Sequence, residues 1–546
     1  MSEAGVHLEN PPPQPSPGVG EGEGRRVGGM LRGILTVGGW TMASRVLGLL
    51  RDTLLATFLG AGLVADAFFV ANRLPNLFRR LFGEGAFNAA FVPSFTGLLT
   101  TEGRESAAHF AEEAMAVLAF WLIGISVLAE IFMPQVMGVL APGFVHDPEK
   151  FRLVVTLGRI TFPYMPLICL VAVMSGILNG LDRFAAAAAA PVLYNLTSIG
   201  FMLGLLHVLP TAGHAIAVGV SVSGLFQLAL VAWAVRRSGL RLHLPRPRLT
   251  PRVKTLLRRM GPGLLGAGVT QLNLSVDVII GSLLPAGTVS VLYYADRINQ
   301  LPLGVLGTAI GTALLPTLSR QVLLPDRSVA LTTMNRAMEY ALLLTLPAAL
   351  GLAVAAEPIL ASLFGYGAFT AHAVYLSAGA LRAYALGLPA FVLVKVLVPG
   401  FFARGDTGTP VKIGLISIGL NLALNLALMR PLQAQGPALA SALAAWFNVG
   451  GLVVMLARRG AFASDAVLRR RVLGMATATV AMGLVVGILV SVFPAPMTLH
   501  AVPRAACLVA ELVAGGLIYA LAGQALGAFD ARTLLRRRGR PGTTPT

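Results

Sequence analysis

The sequence contains few charged residues for its length. Only 12% of its 546 residues are Asp, Glu, Lys or Arg, whereas ordinary globular domains contain about 25%. Hydrophobic residues make up 55%, and the mean hydropathy is +0.76. This composition excludes a soluble globular domain and predicts an all-α membrane protein that crosses the bilayer many times.

Cysteine is almost absent as well. The two cysteines, Cys169 and Cys507, each lie within an apolar segment, so neither a disulfide framework nor a cysteine-based metal site is expected. The sequence contains no catalytic triad. Its Gly-rich segment GVLGTAIGTALLP has no preceding strand and no following GK[ST], which excludes a phosphate-binding loop. We therefore predict that the protein is not an enzyme and has no cofactor.

Basic residues exceed acidic ones, and the formal net charge is +18. The arginines cluster at the ends of apolar runs, which is typical of cytoplasmic anchoring and not of a nucleic-acid-binding stripe. The connections near 60–65, 207–214, 284–290 and 364–373 contain no Lys or Arg. The positive-inside rule places these connections outside the cytoplasm and both termini within it.

Apolar windows of about 20 residues or more predict fourteen transmembrane helices. They fall near 30–59, 64–96, 107–141, 153–178, 187–209, 213–235, 260–285, 290–318, 332–356, 373–402, 410–429, 435–457, 472–494 and 502–528.

The chain repeats itself. FFVANRLPN at 68–76 aligns with LYYADRINQ at 292–300, FVPSF at 91–95 with LLPTL at 314–318, and LDRFAAAAAAP ending at Pro191 with ARGDTGTP ending at Pro410. Because a repeat of six spans keeps its orientation, we predict two six-helix lobes related by a pseudo-twofold axis along the membrane normal, followed by two additional helices.

These observations divide the chain into six segments. They are a disordered leader over 1–27, an N-lobe over 28–235, a basic cytoplasmic linker over 236–259, a C-lobe over 260–459, two C-terminal helices over 460–530 and a basic cytoplasmic tail over 531–546. The leader is rich in Pro, Gly and Glu and lacks the apolar core of a signal peptide. The linker is interpreted as a solvated connector with affinity for the lipid surface, with a gate as the alternative.

The first two predicted spans contain charges that a membrane tolerates poorly. These are Arg45, Arg51, Asp52, Asp66, Arg73, Arg79, Arg80 and Glu84. A charge at the centre of a bilayer costs about 3 kcal/mol on insertion scales, so such residues face a partner or a wet cavity. The acids cannot neutralise five arginines, and the surplus predicts a polyanionic guest. The alternatives are snorkelling for Arg45 and Arg51, helix capping for Asp66 and cytoplasmic anchoring for Arg79 and Arg80.

Several ordered blocks resemble one known family. SRVLGLLRD at 44–52, ADAFFVANRLPNLFRRLFGEGAFNAAFVP at 65–93, ITFPY at 160–164, YYADRINQLPLGVLGTAIGTALLP at 293–316 and KVLVPGFFARGDTGTPVKI at 395–413 closely resemble the MurJ (MviN) family of bacterial lipid II flippases. The resemblance implies fourteen helices around a central cationic cavity in the bacterial inner membrane. It also implies that the last two helices border a hydrophobic groove for an undecaprenyl tail.

The resemblance also implies roles for individual residues. Substrate binding is expected for Arg45, Arg51 and Arg297, since guanidinium groups bind phosphate in a bidentate manner and stay charged. A gate role is expected for Asp66, Arg79 and Glu84. Further candidates for the cavity are Arg73, Arg80, Asp296 and Lys395.

A second group of polar residues is a candidate Na⁺ site. Asn421 and Asn425 lie one helical turn apart, Asp277 falls in the seventh span, and Ser441 is near the start of the twelfth. Oxygen ligands from three helices suit Na⁺, although some members of the resembling family have an acid where Asn425 stands. Hydrogen bonding between helices is the alternative.

The predicted function is transport of lipid II from the cytoplasmic to the periplasmic leaflet by alternating access, during peptidoglycan synthesis. The expected partners are lipid II, membrane lipids and cell-wall synthesis proteins, with a monomeric chain and no nucleic acid. The nearest alternative is a flippase for an O-antigen-type lipid-linked oligosaccharide. A multidrug cation antiporter is disfavoured because the cavity is basic, and a scaffold does not explain buried arginines.

The alternation of basic and Arg-free connections leads to a topology prediction. Reporters fused after residues 240, 463 or 535 should be cytoplasmic, and those at 62, 286 or 368 should be periplasmic. Paired alkaline phosphatase and green fluorescent protein fusions measure this directly. A periplasmic signal at 240 would contradict the two-lobe organisation.

Overall fold

The computed structural model describes residues 19–83, 86–492 and 501–529, and within them only the backbone of 19–35, 81–83, 86, 89, 262–274 and 305–313. The N-terminal half contains α1 Val19–Leu59, α2 Leu63–Ala71, α3 Arg73–Gly83, α4 Ala86–Thr101, α5 Arg104–Ile131, α6 Met133–Leu140, a 3₁₀ helix Pro142–His146, α7 Pro148–Thr161, α8 Tyr164–Gly180, α9 Phe184–Leu205 and α10 Ala212–Arg237. The remainder contains α11 Pro251–Ser282, α12 Thr288–Gln321, α13 Arg327–Val354, α14 Ala356–Phe364, α15 Ala371–Phe402, α16 Gly408–Leu432, α17 Gln435–Arg458, α18 Ala466–Val492 and α19 Ala501–Ala525. The described residues contain no β-strand, which confirms the predicted all-α fold class.

Three predicted spans consist of more than one helix. The span at 64–96 is divided into α2, α3 and α4, the span at 107–141 into α5 and α6, and the span at 153–178 into α7 and α8. Proline contributes to the breaks, because it lacks the N–H that continues a helix. Pro134 lies in the first turn of α6 and Pro163 caps α8.

Ten helical segments within the described residues are long and apolar enough to cross a membrane. The protein is therefore a multi-pass membrane protein. The other predicted spans correspond to α1, the divided α2–α4, α11 and α12, so the count of fourteen stays a prediction.

Two predicted boundaries differ from the structure. Helix α1 begins at Val19, so residues 19–27 of the predicted disordered leader are helical. The last proline of the leader is Pro17, and no proline occurs within α1 to interrupt the helix. Helix α11 begins at Pro251, within the predicted linker, because Thr250 accepts a capping hydrogen bond from the Val253 N–H at 3.4 Å. Residues 1–18 and the predicted tail 531–546 lie outside the described residues.

The helices pack within two lobes, the N-lobe from α1 to α10 and the C-lobe from α11 to α17. Helix α9 packs on α1 and α10, and α15 packs on α12, α13 and α17. The lobes meet where α2 contacts α12, α4 contacts α11 and α1 contacts α14. Helices α18 and α19 pack against each other, and α18 also packs on α13.

The basic linker is held on the N-lobe by acidic residues. The Glu112 carboxylate accepts the His243 N–H at 2.8 Å, Glu113 accepts the Thr250 hydroxyl at 2.8 Å, and Glu102 forms an ion pair with Arg252 at 2.9 Å. We call this side of the protein the basic end. The opposite side, which carries the loops at 60–62, 283–287 and 365–370, we call the Arg-poor end.

Candidate functional site

The candidate site is built around a carboxylate on α1 that contacts both lobes. Asp52 is fully buried. Its Oδ1 accepts a hydrogen bond from Arg51 Nη2 at 2.8 Å, and Arg297 Nε of the C-lobe lies 2.5 Å from Oδ2. The Tyr293 hydroxyl, also in the C-lobe, donates to Oδ1 at 3.4 Å. One N-lobe carboxylate therefore joins two arginines across the lobe boundary.

The two arginines differ in exposure. The Arg51 side chain is 13% exposed and lies over the Tyr194 ring, 5.1 Å from its centroid. The Arg297 side chain is 32% exposed. Two guanidinium groups share one carboxylate, so this centre keeps a net positive charge that remains partly accessible. Such a charge favours an anion in the space between the lobes.

Arg45 lies at the same boundary but is exposed. Its Nη2 is 3.7 Å from the position that a Cβ would take at Gly304 of α12. A Cβ at Gly48 would lie 3.1 Å from Arg297 Nη2, so the glycine leaves room for the guanidinium beside α1. The three arginines predicted to bind substrate therefore all lie between α1 and α12.

Arg73 lies in the neighbourhood of two carboxylates. The charges of Asp296 and Asp277 act on its guanidinium, as does that of Arg80. Asp296 accepts a hydrogen bond from Gln300, and the charge of Arg297 acts on it. Arg73 is therefore near both the interlobe arginines and the candidate Na⁺ residues.

The other predicted site residues are more dispersed. Arg79 Nε donates to Asn76 Oδ1 at 3.3 Å. Glu84, the predicted partner of Arg79, lies outside the described residues. Lys395 is half-buried in α15 and makes no hydrogen bond or ion pair with any residue that the structure describes.

At the Arg-poor end, Asp66 ties the lobes together. Its Oδ1 accepts the Ser290 N–H at 2.9 Å and the Ser290 hydroxyl at 2.8 Å. Its Oδ2 accepts the Gly287 N–H at 2.7 Å and forms an ion pair with Lys150 at 3.1 Å. Asp66 is 1% exposed, and in each of these four contacts it receives a hydrogen bond or an ion pair from the other group. Its hydrogen bonds to α12 therefore depend on a carboxylate that only accepts.

Asp66 lies in the first turn of α2, as expected, but α2 begins after Gly62 with no side-chain cap. The helix that Asp66 caps by hydrogen bonds is α12. Asp66 instead accepts from Gly287, the N-cap residue of α12, and from the N–H of Ser290 in its first turn. A negative charge is favoured at that helix end by the macrodipole. The cap reading and the gate reading therefore describe the same contact.

Lys150 was missed by sequence reasoning. It lies in the first turn of α7, is 5% exposed, and lies over the Phe144 ring at 3.9 Å while it pairs with Asp66. The pair spans 84 residues of sequence, so no local spacing signals it.

Repeat mates contact one another at this boundary. Ser290 follows Asp66 by 224 residues, the offset of the repeat. Tyr293 follows Phe69 by the same interval in the sequence, and their rings stack 3.8 Å apart. Positions related by a twofold axis touch their own mates only near that axis. The α2–α12 contact therefore lies at the pseudo-twofold axis expected from the repeat.

The candidate Na⁺ residues come together between α11, α16 and α17. Asp277 accepts the Ser441 hydroxyl at 2.9 and 3.1 Å, and Asn425 Nδ2 lies 3.5 Å from Asp277 and 2.8 Å from Asn421 Oδ1. All four residues are buried. Asn425 Oδ1 has no hydrogen-bond partner. The donor set fits a hard cation, since it offers one carboxylate and neutral oxygens. In the described part of the chain, no three His, Cys, Asp or Glu residues form a metal cluster.

An apolar cavity of about 390 Å³ lies between α13 and α18. Its walls include Met338, Leu342, Phe462 and Val472, and Arg469 also lines it. The predicted lipid-tail groove was assigned to the last two helices; this cavity involves α18 but not α19.

With this geometry in place, comparison with known proteins identifies the family. A family model described as "Lipid II flippase MurJ" matches residues 55–506. The chain belongs to the MurJ family. A "Probable lipid II flippase MurJ" of Rhizobium meliloti (strain 1021) is 42% identical over 521 residues, covering 94% of this chain and 97% of the relative.

Two solved structures share the fold. One, "Lipid II flippase MurJ, inward closed conformation", has a TM-score of 0.76 at 24% identity and covers 92% of this chain and 99% of its own. The other, an inward-facing "multidrug resistance MATE family transporter of the MOP superfamily", has a TM-score of 0.63 at 15% identity and covers 76% of this chain and 94% of its own. The predicted family and fold class are confirmed, and membership in a flippase family agrees with the expectation of a transporter.

The Asp66 contact leads to a prediction about the Arg-poor end. In Asp66→Asn, an amide NH₂ replaces one of two oxygens that each accept two contacts, and the charge that pairs with Lys150 is lost. Breaking a buried charge pair typically costs about 3 to 5 kcal/mol. We expect the lobes to separate there, which a cysteine pair can report. Thr57→Cys and Ala368→Cys suit this, because the Thr57 carbonyl accepts the Ala368 N–H at 2.8 Å.

In a background with Cys169→Ala and Cys507→Ala, disulfide formation by this pair should fall strongly with Asp66→Asn. It should fall less with Ser290→Ala, which removes one donor of four. Equal disulfide yields in all three backgrounds would show that Asp66 does not hold the lobes together.

Proposed function

We propose that this protein is a lipid II flippase that moves the undecaprenyl-pyrophosphate-linked peptidoglycan precursor from the cytoplasmic to the periplasmic leaflet. The single observation that carries the proposal is the pair Arg51 and Arg297, one from each lobe, around one carboxylate. Membership in the MurJ family supports the same substrate. A pyrophosphate offers two adjacent anionic groups, which suits two facing guanidinium forks.

In this proposal the Asp52 carboxylate occupies the two arginines until the substrate phosphates bind them. It neutralises part of the charge of Arg51 and Arg297 when no substrate is bound, so the arginines stay oriented without a guest. An incoming pyrophosphate competes with Asp52 for both guanidinium groups. Because the arginines lie on different lobes, the competition acts on the contact between the lobes, as alternating access requires.

The Arg-poor end is proposed to face the periplasm, with both termini in the cytoplasm. The hydrogen bonds of Asp66 to α12 close that end. Release of the head group to the periplasm then requires that these bonds open. The lipid tail remains in the bilayer, and the apolar cavity between α13 and α18 is a place where it can rest.

Coupling to Na⁺ is part of the proposal. A cation would be held by Asp277, Ser441, Asn421 and the unpartnered Oδ1 of Asn425. Arg73 lies within electrostatic reach of Asp277 and of Asp296. A change of charge at Asp277 is therefore felt by an arginine near the substrate arginines, which links the two sites without direct contact.

Substitution of the interlobe arginines tests the function. Arg51→Ala or Arg297→Ala should abolish complementation of a flippase-depleted bacterium while membrane levels stay normal. Losing one charge-assisted contact costs about 1.5 to 3 kcal/mol, or roughly 10- to 150-fold in binding. Lipid II affinity of the purified variants should fall accordingly, and Lys at either position should retain part of it as a point charge.

Arg382→Ala is the matched control, since Arg382 is exposed and its contacts, Glu357 at 4.0 Å and the Ala353 carbonyl at 3.3 Å, both lie within the C-lobe. It should complement fully. Normal growth of the double variant Arg51→Ala/Arg297→Ala would refute the anionic-substrate argument. Equal affinity for lipid II and for another prenyl-pyrophosphate sugar would point to the broader substrate class.

The ion proposal gives a separate prediction. Asp277→Ala should reduce Na⁺-dependent transport more than Ser441→Ala, because the carboxylate supplies the formal charge of the site. Transport into vesicles with Na⁺ or with K⁺ outside measures this. Activity that is independent of Na⁺ and unchanged by Asp277→Ala would leave the cluster with a packing role only.

A further inference from the structure

A second cationic centre lies at the basic end of the C-lobe, away from the boundary between the lobes. A pocket of about 280 Å³ is lined there by Arg327, Arg404 and Arg459. They come from three different places: Arg327 is the first residue of α13, Arg404 follows α15, and Arg459 follows α17. Three converging guanidinium groups distinguish this pocket from ordinary surface charge.

One of the three arginines is rigidly held. Arg459 forms an ion pair with Asp406, donates to the Thr409 hydroxyl at 2.9 Å, and lies over the Phe401 ring. Hydrogen bonds from Thr409 and from Arg459 hold the pKa of Asp406 well below its usual range. Asp406 therefore stays ionised, and it neutralises one of the three positive charges.

The other two charges are not neutralised. Arg404 donates to the Gly400 carbonyl at 2.6 Å, which carries no net charge. The Arg327 side chain makes no hydrogen bond or ion pair with any residue that the structure describes. Burial lowers the pKa of Arg404, and the nearby Arg327 lowers it further. The three arginines and the Asp406 carboxylate together leave two positive charges at the pocket.

The N-lobe has an arginine at the corresponding position. By the repeat, Arg104 corresponds to Arg327 and is likewise the first residue of its helix, α5. A Cβ at Gly239 of the linker would lie 3.7 Å from Arg104 Nη1, and Glu102 beside it binds Arg252. The N-lobe therefore has an acid with an ion pair beside this arginine. In the C-lobe, Arg327 lines a pocket together with Arg404, Arg459 and Gly460.

We propose that the pocket formed by Arg327, Arg404 and Arg459 binds a phosphate group. Guanidinium forks match the oxygens of phosphate, and a dianion balances the surplus of two charges. The volume equals about nine water molecules, which accommodates a phosphate headgroup but not a disaccharide-peptide. The ligand is therefore distinct from the transported head group, and it is either free phosphate or the headgroup of an anionic phospholipid.

Two measurements on the full chain separate these sources. The first is calorimetric titration of inorganic phosphate into detergent-purified protein, with chloride at equal ionic strength as the reference. The second is thermal unfolding in nanodiscs of phosphatidylcholine with or without phosphatidylglycerol. In each, Arg327→Gln and Arg404→Gln are compared with Arg458→Gln, an exposed arginine next to Arg459 that does not line the pocket.

We expect the two pocket variants to weaken ligand binding by roughly 10-fold or more, and Arg458→Gln to leave it unchanged. Phosphate binding in detergent that depends on Arg327 and Arg404 identifies free phosphate. Stabilisation by phosphatidylglycerol alone, with the same dependence, identifies a lipid headgroup. Either result supports the site. Absence of both effects, or an equal loss in Arg458→Gln, overturns it. The proposed transport function does not depend on this outcome.

Discussion

The fold depends on one buried carboxylate at the meeting point of two repeats. Asp66 accepts hydrogen bonds from Gly287 and Ser290 in the opposite lobe and an ion pair from Lys150 in its own. A lone carboxylate at this depth would be strongly destabilised, and four donors offset that cost. Its partner Ser290 occupies the repeat-equivalent position. The repeat-related helices α2 and α12 therefore meet with an acid on α2 and hydrogen-bond donors on α12. Two acids at these positions would repel each other, and two serines would leave donors unpaired.

Asp66 and Asp52 are both N-lobe acids that contact the C-lobe, but their partners there differ in charge. Asp66 meets neutral N–H groups of the C-lobe and a lysine of its own lobe, which no anionic guest replaces. Asp52 meets Arg51 and Arg297, which an anionic guest binds more favourably than a single carboxylate. In the proposed mechanism, the first contact keeps one end closed, and the second is the contact with which the substrate competes. Both contacts reach α12, through Ser290 and Arg297, so a movement of α12 would affect both.

The sequence predicted what local patterns encode. Arginines within apolar runs indicated Arg51, the family resemblance added Arg297, and the repeat placed the two in separate lobes. Prolines such as Pro134 and Pro163 offered a signal for the helix breaks that an apolar window alone overlooks. Contacts between distant segments were beyond reach: Lys150 pairs with Asp66 across 84 residues. Likewise, Arg504 is buried in α19 over the Tyr366 ring and donates to the Gly365 carbonyl at 3.3 Å. The positions of these residues in the sequence do not show which distant residue each of them contacts.

The way in which the linker is fastened has a consequence for the last two helices. On α5, Glu112 and Glu113 hold the backbone of His243 and the cap residue Thr250, from which α11 starts. On α13, the repeat-equivalent Asn335 and Arg336 hold the carbonyl of Ala463 and Asp465, directly before α18. Equivalent positions of the two lobes thus hold the segment that follows each lobe, with glutamates on α5 and with an asparagine and an arginine on α13. Helices α18 and α19 are attached to the C-lobe in the same way as the C-lobe is attached to the N-lobe. In the proposed alternating access, α18 and α19 would therefore move together with the C-lobe, because their packing partners α13 and α14 belong to it.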